Sequence, residues 1–236
     1  MTDIDPIHLK LKHPFNMIVS GPSACGKTSF VRKLFEFYDT ITTIDQPRLR
    51  VFWAHGQDQE TYKKPISEFV DVVYHNGIPT EDEILNVGPH ILVLDDLMIE
   101  AASGKSLVSL LSRFSHHNNI SIIYITQNLF FNGKNTTDAN RQSHYTVVFR
   151  NSRDKSIAIT LAKQLAPHNK SHFYESFHDA TKQPFSYLLI DAHPTTPEDL
   201  LLKTNIIPEK SGHCQCDVYF ENGEYLDQFK KFYNII

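Results

Sequence analysis

Short runs of apolar residues alternate with amphipathic stretches along most of this chain. Residues 15–20 (FNMIVS), 50–54, 71–74, 90–94 (HILVL), 120–126 (ISIIYIT), 145–149 and 187–190 (YLLI) read as strands. Several are apolar at successive positions, and the run at 120–126 is rich in β-branched residues. Such runs suit strands covered on both faces, where every side chain meets apolar neighbours. Between them, residues 27–38, 106–115 and 154–165 read as helices; Phe30, Val31, Leu34 and Phe35 form one apolar stripe. Strands alternating with helices predict an α/β fold with a mostly parallel central sheet flanked by helices. Residues 130–144 break the pattern: they are polar and hold Gly133 and Lys134, as a functional or unstructured loop would. Near the end, Leu226, Phe229, Tyr233 and Ile236 recur at helical spacing. The expected organisation is one domain over residues 1–207 and an extension over 208–236 with a terminal helix.

Between the first strand and the first helix stands Gly21-Pro22-Ser23-Ala24-Cys25-Gly26-Lys27-Thr28, followed by Ser29. It fits G-x-x-x-x-G-K-[ST] at every fixed position and lies in the strand–loop–helix setting that this phosphate-binding loop requires. The loop wraps a polyphosphate with backbone N–H groups, so glycines stand where side chains would collide. The helix begins at the phosphates, and its N-terminal N–H groups favour negative charge. Lys27 is placed for the β- and γ-phosphates, and the Thr28 hydroxyl for Mg²⁺. The expected ligands are ATP and Mg²⁺.

The run at 90–94 ends in Asp95-Asp96. Paired acids suit a buried strand only at its carboxyl end, where α/β sheets place their ligands. In this Walker B pattern Asp95 is expected on Mg²⁺, and Asp96 as the general base that orients or deprotonates a water. The strand at 120–126 ends in Gln127, whose amide can hold a phosphate oxygen and a nucleophilic water together. In P-loop ATPases of the additional-strand, RecA-like type, a strand lies between the phosphate-loop strand and the Walker B strand. Gln127 would then be the sensor facing the γ-phosphate.

With 236 residues the chain can build one sizeable core. Its formal net charge of −4 excludes a broadly basic DNA-coating surface, so any nucleic-acid contact is expected from a local patch or a ring interior. Cys25, Cys214 and Cys216 give no disulfide framework and suggest a reducing, intracellular setting. No signal peptide or membrane span is expected.

The strings GPSACGKTSF, VLDDLM, SHHNNISIIYITQNLF and FRNSRDKS together resemble the DNA packaging ATPases of Polinton (Maverick) elements, adintoviruses and virophages, in the FtsK–HerA superfamily beside the poxvirus-type packaging ATPases. The similarity runs from about residue 15 to 206. It implies an oligomeric ring that drives double-stranded DNA into a capsid, with a capsid vertex or portal protein as partner, at the site of virion assembly. It also implies a catalytic second acid at Asp96, the strand-end glutamine at Gln127, and an arginine finger supplied by the neighbouring subunit. Arg153, in Asn151-Ser152-Arg153-Asp154, matches a recurring Asn-Pro-Arg-Asp pattern with Ser in place of Pro; Arg141 is a second candidate.

A small P-loop nucleotide or nucleoside kinase is the alternative reading. It would need an arginine-rich lid, and residues 130–144 hold one arginine and one lysine. His116-His117 and His213-Cys214-x-Cys216 lack the partners of a metal site. Cys25, at a helix start, is a candidate for a lowered thiol pKa. Asp191 reads as the end of an edge strand.

Overall fold

The computed structural model describes residues 10–97, 115–130, 143–208 and 216–220. The expectations for Arg141, Lys134, His213, Cys214, most of the helix at 106–115 and the terminal helix at 226–236 fall outside these residues.

The strands are β1 Asn16–Ser20, β2 Leu49–His55, β3 Val70–Asn76, β4 Ile91–Asp95, β5 Ser121–Thr126, β6 Tyr145–Phe149, β7 Tyr187–Asp191, β8 Leu202–Thr204 and β9 Asp217–Val218. They form one sheet in the order β3-β2-β4-β5-β1-β6-β7-β8-β9. Pairing is parallel from β3 through β6 and antiparallel from β6 through β9. The helices are α1 Lys27–Glu36, α2 Tyr38–Ile41, α3 Glu81–Val87, α4 Ser115–Asn118, α5 Ser156–Leu165 and α6 Lys170–Ala180.

The apolar runs are explained by two cores, one on each face. Successive strand residues point to opposite faces. Met17 and Val19 of β1 join α1 and its stripe Phe30, Val31, Leu34 and Phe35 in one core. Ile18, between them, joins Ile84 of α3, Ile157 and Leu161 of α5 and Phe173 of α6 in the other. The central strands β1, β4 and β5 are buried at every position. Among the described residues, no helix is long and apolar enough to cross a membrane.

One expectation changes, and three elements are added. Asp191 does not end an edge strand: β7 is paired with β6 and with β8. Its buried carboxylate receives Lys203 Nζ of β8 at 2.5 Å, with both side chains almost fully covered. The short runs of β8 and β9 give no periodic signal, yet they extend the sheet. Cys216, Val218 and Phe220 are buried in the same core as α1. Helix α6 is an addition to the elements that the apolar pattern predicts. Its segment KSHFYESFHDA is mostly polar, and its signals are the Asn169 cap, which accepts from the His172 N–H, and Phe173 four residues on.

The amino end of the parallel strands carries a row of histidines, two of which accept from backbone N–H groups. His90 Nδ1 accepts from the Arg50 N–H at 3.0 Å, and His144 Nδ1 from the Asn16 N–H at 3.1 Å. His13 Nδ1 lies 2.7 Å from Ser121 Oγ. Burial lowers the pKa of His13, His90 and His193, helped respectively by His90, Arg50 and Lys12. These rings are neutral in the folded state, while the unfolded chain titrates near the ordinary 6.5. Their stabilisation is complete above that value and is lost as pH falls from there through the lowered values. Melting temperatures at pH 7.5 and 5.5 should show the acid sample melting lower; equal or higher melting at pH 5.5 would contradict this assignment.

Candidate active site

The loop Gly21–Thr28 leaves the carboxyl end of β1 and enters α1. Gly21 is buried, and a Cβ there would stand 2.7 Å from both Cys25 Sγ and Phe149 Cβ, so only glycine fits. Gly26 precedes the helix at φ 104, a left-handed conformation that costs glycine little. Ala24 also sits at positive φ. Ser23, Ala24, Gly26, Lys27, Thr28 and Ser29 line a cleft of about 1360 Å³. Gly21, Pro22 and Cys25 are not part of that lining. Lys27 Nζ donates to the carbonyls of Gly21 at 2.7 Å and Pro22 at 2.9 Å, which holds the ammonium against the loop.

The sheet order delivers the acids. β5 lies between β1 and β4, so Asp95 and Asp96 at the end of β4 and Gln127 just past β5 reach the same cleft as the phosphate loop. Register aligns the ends: Ser20 pairs with Thr126, Ile125 with Asp95, and Asp95 with His55. Asp95 is buried, and Thr28 Oγ1 lies 3.5 Å from its Oδ2. Burial pushes the Asp95 pKa up; the Tyr62 and Trp53 side chains and the Lys27 charge oppose this, and Asp96 adds to it. Tyr62 donates its hydroxyl to Asp95 Oδ2 at 2.8 Å. Burial and the neighbouring Asp95 charge raise the Tyr62 phenol far above its ordinary range, so it stays a donor.

Asp96 is exposed at φ 54, where the chain turns out of the strand. Gln127 Nε2 reaches both its carboxylate oxygens, at 3.3 and 3.2 Å. Gly56, after β2, lets that turn approach: a Cβ on it would lie 3.1 Å from the Asp96 carbonyl. A carboxylate and an amide are thus held together in the cleft that the phosphate loop lines.

One expectation from the sequence changes. Burial raises the Cys25 thiol pKa, and this outweighs the lowering by Lys27 and backbone N–H groups, so the loop position does not make a reactive thiolate. Arg153 lies on the loop leaving β6, outside the cleft lining. Its N–H donates to Asn151 Oδ1, and its side chain makes no ion pair among the described residues. No cluster of three metal-ligating side chains occurs among the described residues. Sequence reasoning missed Tyr62, which reaches Asp95 from a 3-10 turn, Glu60–Lys63. It also missed Phe185, Asn205 and Pro208, which line the cleft as well. No motif marks these positions.

Asp95 and Thr28 offer hard oxygen donors next to a phosphate loop, a set that suits Mg²⁺. A phosphate loop on β1, a Walker B acid pair on β4 and an inserted β5 carrying a terminal amide define this chain as a P-loop NTPase fold of the additional-strand, RecA-like class. Among solved structures it is similar to the genome packaging NTPase B204 from Sulfolobus turreted icosahedral virus 2 in complex with ATP-gammaS. That match has a TM-score of 0.54 at 12% identity, over 81% of this chain and 96% of that one. It is also similar to B204, the DNA-packaging ATPase from Sulfolobus Turreted Icosahedral Virus, with a TM-score of 0.53 at 12% identity over 82% and 98% of the two chains. At that identity the likeness is one of fold. No family model matches the sequence, and no curated protein does.

Proposed function

We propose that this chain is a Mg²⁺-dependent ATPase that works as an oligomeric ring and packages double-stranded DNA into a viral capsid. The observation that carries the ATPase reading is the meeting of Lys27, Thr28, Asp95, Asp96 and Gln127 in one cleft. The N–H groups of the loop and of the start of α1 cradle the triphosphate, and Lys27 turns from the loop carbonyls to its β- and γ-oxygens. Thr28 and Asp95 hold Mg²⁺, which when bound neutralises phosphate charge. Asp96 and Gln127 orient a water in line with the γ-phosphorus. As the new P–O bond forms and the bond to the bridging oxygen breaks, ADP departs with that electron pair and Asp96 accepts the water's proton.

The DNA-packaging part rests on the sequence resemblance to packaging ATPases, and the likeness of fold to two viral packaging proteins supports it. In that reading Arg153, exposed and without an ion pair among the described residues, serves the neighbour's cleft, so hydrolysis waits for the neighbouring subunit. Arg141 is the second candidate, a capsid vertex protein the partner, and the place of virion assembly the place of action.

The test is steady-state ATP hydrolysis with and without linear double-stranded DNA. DNA should raise turnover severalfold; turnover that appears only when a nucleoside acceptor is added would replace the motor by a kinase. Tyr62→Phe removes the hydroxyl that steadies Asp95. It should raise the Mg²⁺ concentration for half-maximal hydrolysis by about tenfold, as loss of a partner to a metal ligand commonly does. An unchanged Mg²⁺ titration would show that Tyr62 serves packing alone.

A further inference from the structure

Two residues of the cleft lining stand in conformations that ordinary side chains avoid. Gln183-Pro184-Phe185-Ser186 is a tight turn, closed by the Ser186 N–H on the Gln183 carbonyl at 3.3 Å. Proline stands second, and the third residue, Phe185, has φ 66. That position suits glycine or asparagine, and a bulky aromatic there carries strain. Nothing in the core offsets it, for Phe185 is 71% exposed, the most exposed large apolar side chain among the described residues. The ring lies over the phosphate loop instead: a Cβ on Gly26 would be 3.3 Å from Phe185 Cδ1. Strain kept for an exposed aromatic at the lip of a binding cleft points to a ligand's flat face.

Asn205 lines the same cleft, exposed and also at positive φ. Its neighbours are pinned to the base of the Phe185 turn. Thr204 Oγ1 donates to the Tyr187 carbonyl at 2.7 Å, and the Ile206 N–H donates to the Tyr187 hydroxyl at 3.1 Å. Asn205 Nδ2 donates to Asp217 Oδ2 at 2.6 Å. With its Nδ2 engaged by Asp217, the Asn205 amide keeps Oδ1 as an acceptor. Such an acceptor pairs with an exocyclic amine and repels an exocyclic carbonyl. Among purines, adenine carries the amine at position 6 and guanine the carbonyl.

We propose that Phe185 and Asn205 form the nucleobase subsite of the cleft, the ring stacking on a purine and the amide oxygen accepting from the adenine amine, so that the site selects ATP over GTP. This rests on the nucleotide-binding reading above and adds to it the base, its selectivity and the residues responsible.

Equilibrium binding of ATP, GTP and inorganic tripolyphosphate, measured by calorimetry on the full chain and on Phe185→Asn and Asn205→Gly, tests it. Both substitutions tolerate positive φ, so the fold is kept. Phe185→Asn should weaken ATP binding roughly tenfold, leave tripolyphosphate unchanged, and melt at the same or a higher temperature, because strain is relieved. Asn205→Gly should bring the ATP and GTP affinities together. ATP binding of Phe185→Asn equal to that of the parent, or no preference for ATP in the parent, overturns the subsite while leaving the phosphate loop intact. A parent that binds neither ATP nor tripolyphosphate overturns the nucleotide reading and the subsite with it.

Discussion

Asp96→Asn should lower ATP hydrolysis roughly 10²- to 10⁴-fold, the range that a positioned acid or base contributes, while ATP binding stays intact. The substitution is conservative where it needs to be. Asparagine has the same shape and is among the few residues at ease at φ 54. Its side-chain oxygen can still accept from Gln127 Nε2, which now reaches both carboxylate oxygens. What it loses is the capacity to take a proton. Asp95 and Thr28, which meet on the other side of the strand end, are untouched. Phosphate release measured beside equilibrium ATP binding separates the two effects. A variant that turns over at more than a tenth of the parental rate would remove Asp96 from the role of base. Gln127→Ala should be milder in the same assay, since the amide orients a water and takes no proton.

The second large effect is one of stability. Lys203→Met should cost about 3–5 kcal/mol, as removal of one partner from a buried ion pair generally does. Lys203 and Asp191 lie 1% and 2% exposed on adjacent antiparallel strands, with Nζ and Oδ2 at 2.5 Å. Asp191 Oδ1 is engaged elsewhere, by the Thr196 hydroxyl at 2.9 Å and the His193 N–H at 3.2 Å. Without the ammonium, a carboxylate remains in the sheet with Oδ2 uncompensated. A domain is stable by only about 5–15 kcal/mol, so this loss is a large part of the whole. Asp191→Asn combined with Lys203→Met removes both charges and should recover most of it. Urea unfolding of the single and double variants measures the difference. A single variant within about 1 kcal/mol of the parent would show that the pair adds nothing, and a double variant no better than the single would show that shape, not charge, decides the site.

The parts of the catalytic site that were legible in the sequence are local in the chain. Gly21 to Thr28 form one continuous loop whose backbone does the binding, so its spacing can be read directly. Asp95-Asp96 and Gln127 end strongly apolar runs, and the end of a buried strand is where a polar side chain must emerge. That these three meet needed the order of the strands, and the inserted strand common to the additional-strand class supplied it; β5 between β1 and β4 bears it out. The buried strands were legible for a related reason: a two-sided parallel strand needs apolar residues at successive positions, and that signal is strong.

Other features had no such local signature. Tyr62 and Asp95 are 33 positions apart and meet only because β2 lies beside β4. Asp191 looked like the end of an edge strand because β8 is three residues long and its inward lysine contradicts the apolar rule; only the antiparallel pairing shows that the lysine has a buried partner. Phe185 reads in sequence as one more aromatic, and its exposure and backbone conformation are properties of the turn. Cys25 carried the opposite error: chain position alone favours a thiolate, but burial outweighs it.

By itself, then, the sequence determined a phosphate loop, two strand-end acids, a strand-end amide and the alternation that makes an α/β sheet, because each depends on residues close along the chain. The tertiary structure decided which strands stand side by side. From that came the joining of the acids to the loop, the tyrosine on Asp95, the ion pair between β7 and β8, and the aromatic and amide in the cleft lining. These depend on distances between residues far apart in the chain, which folding sets and local pattern does not encode.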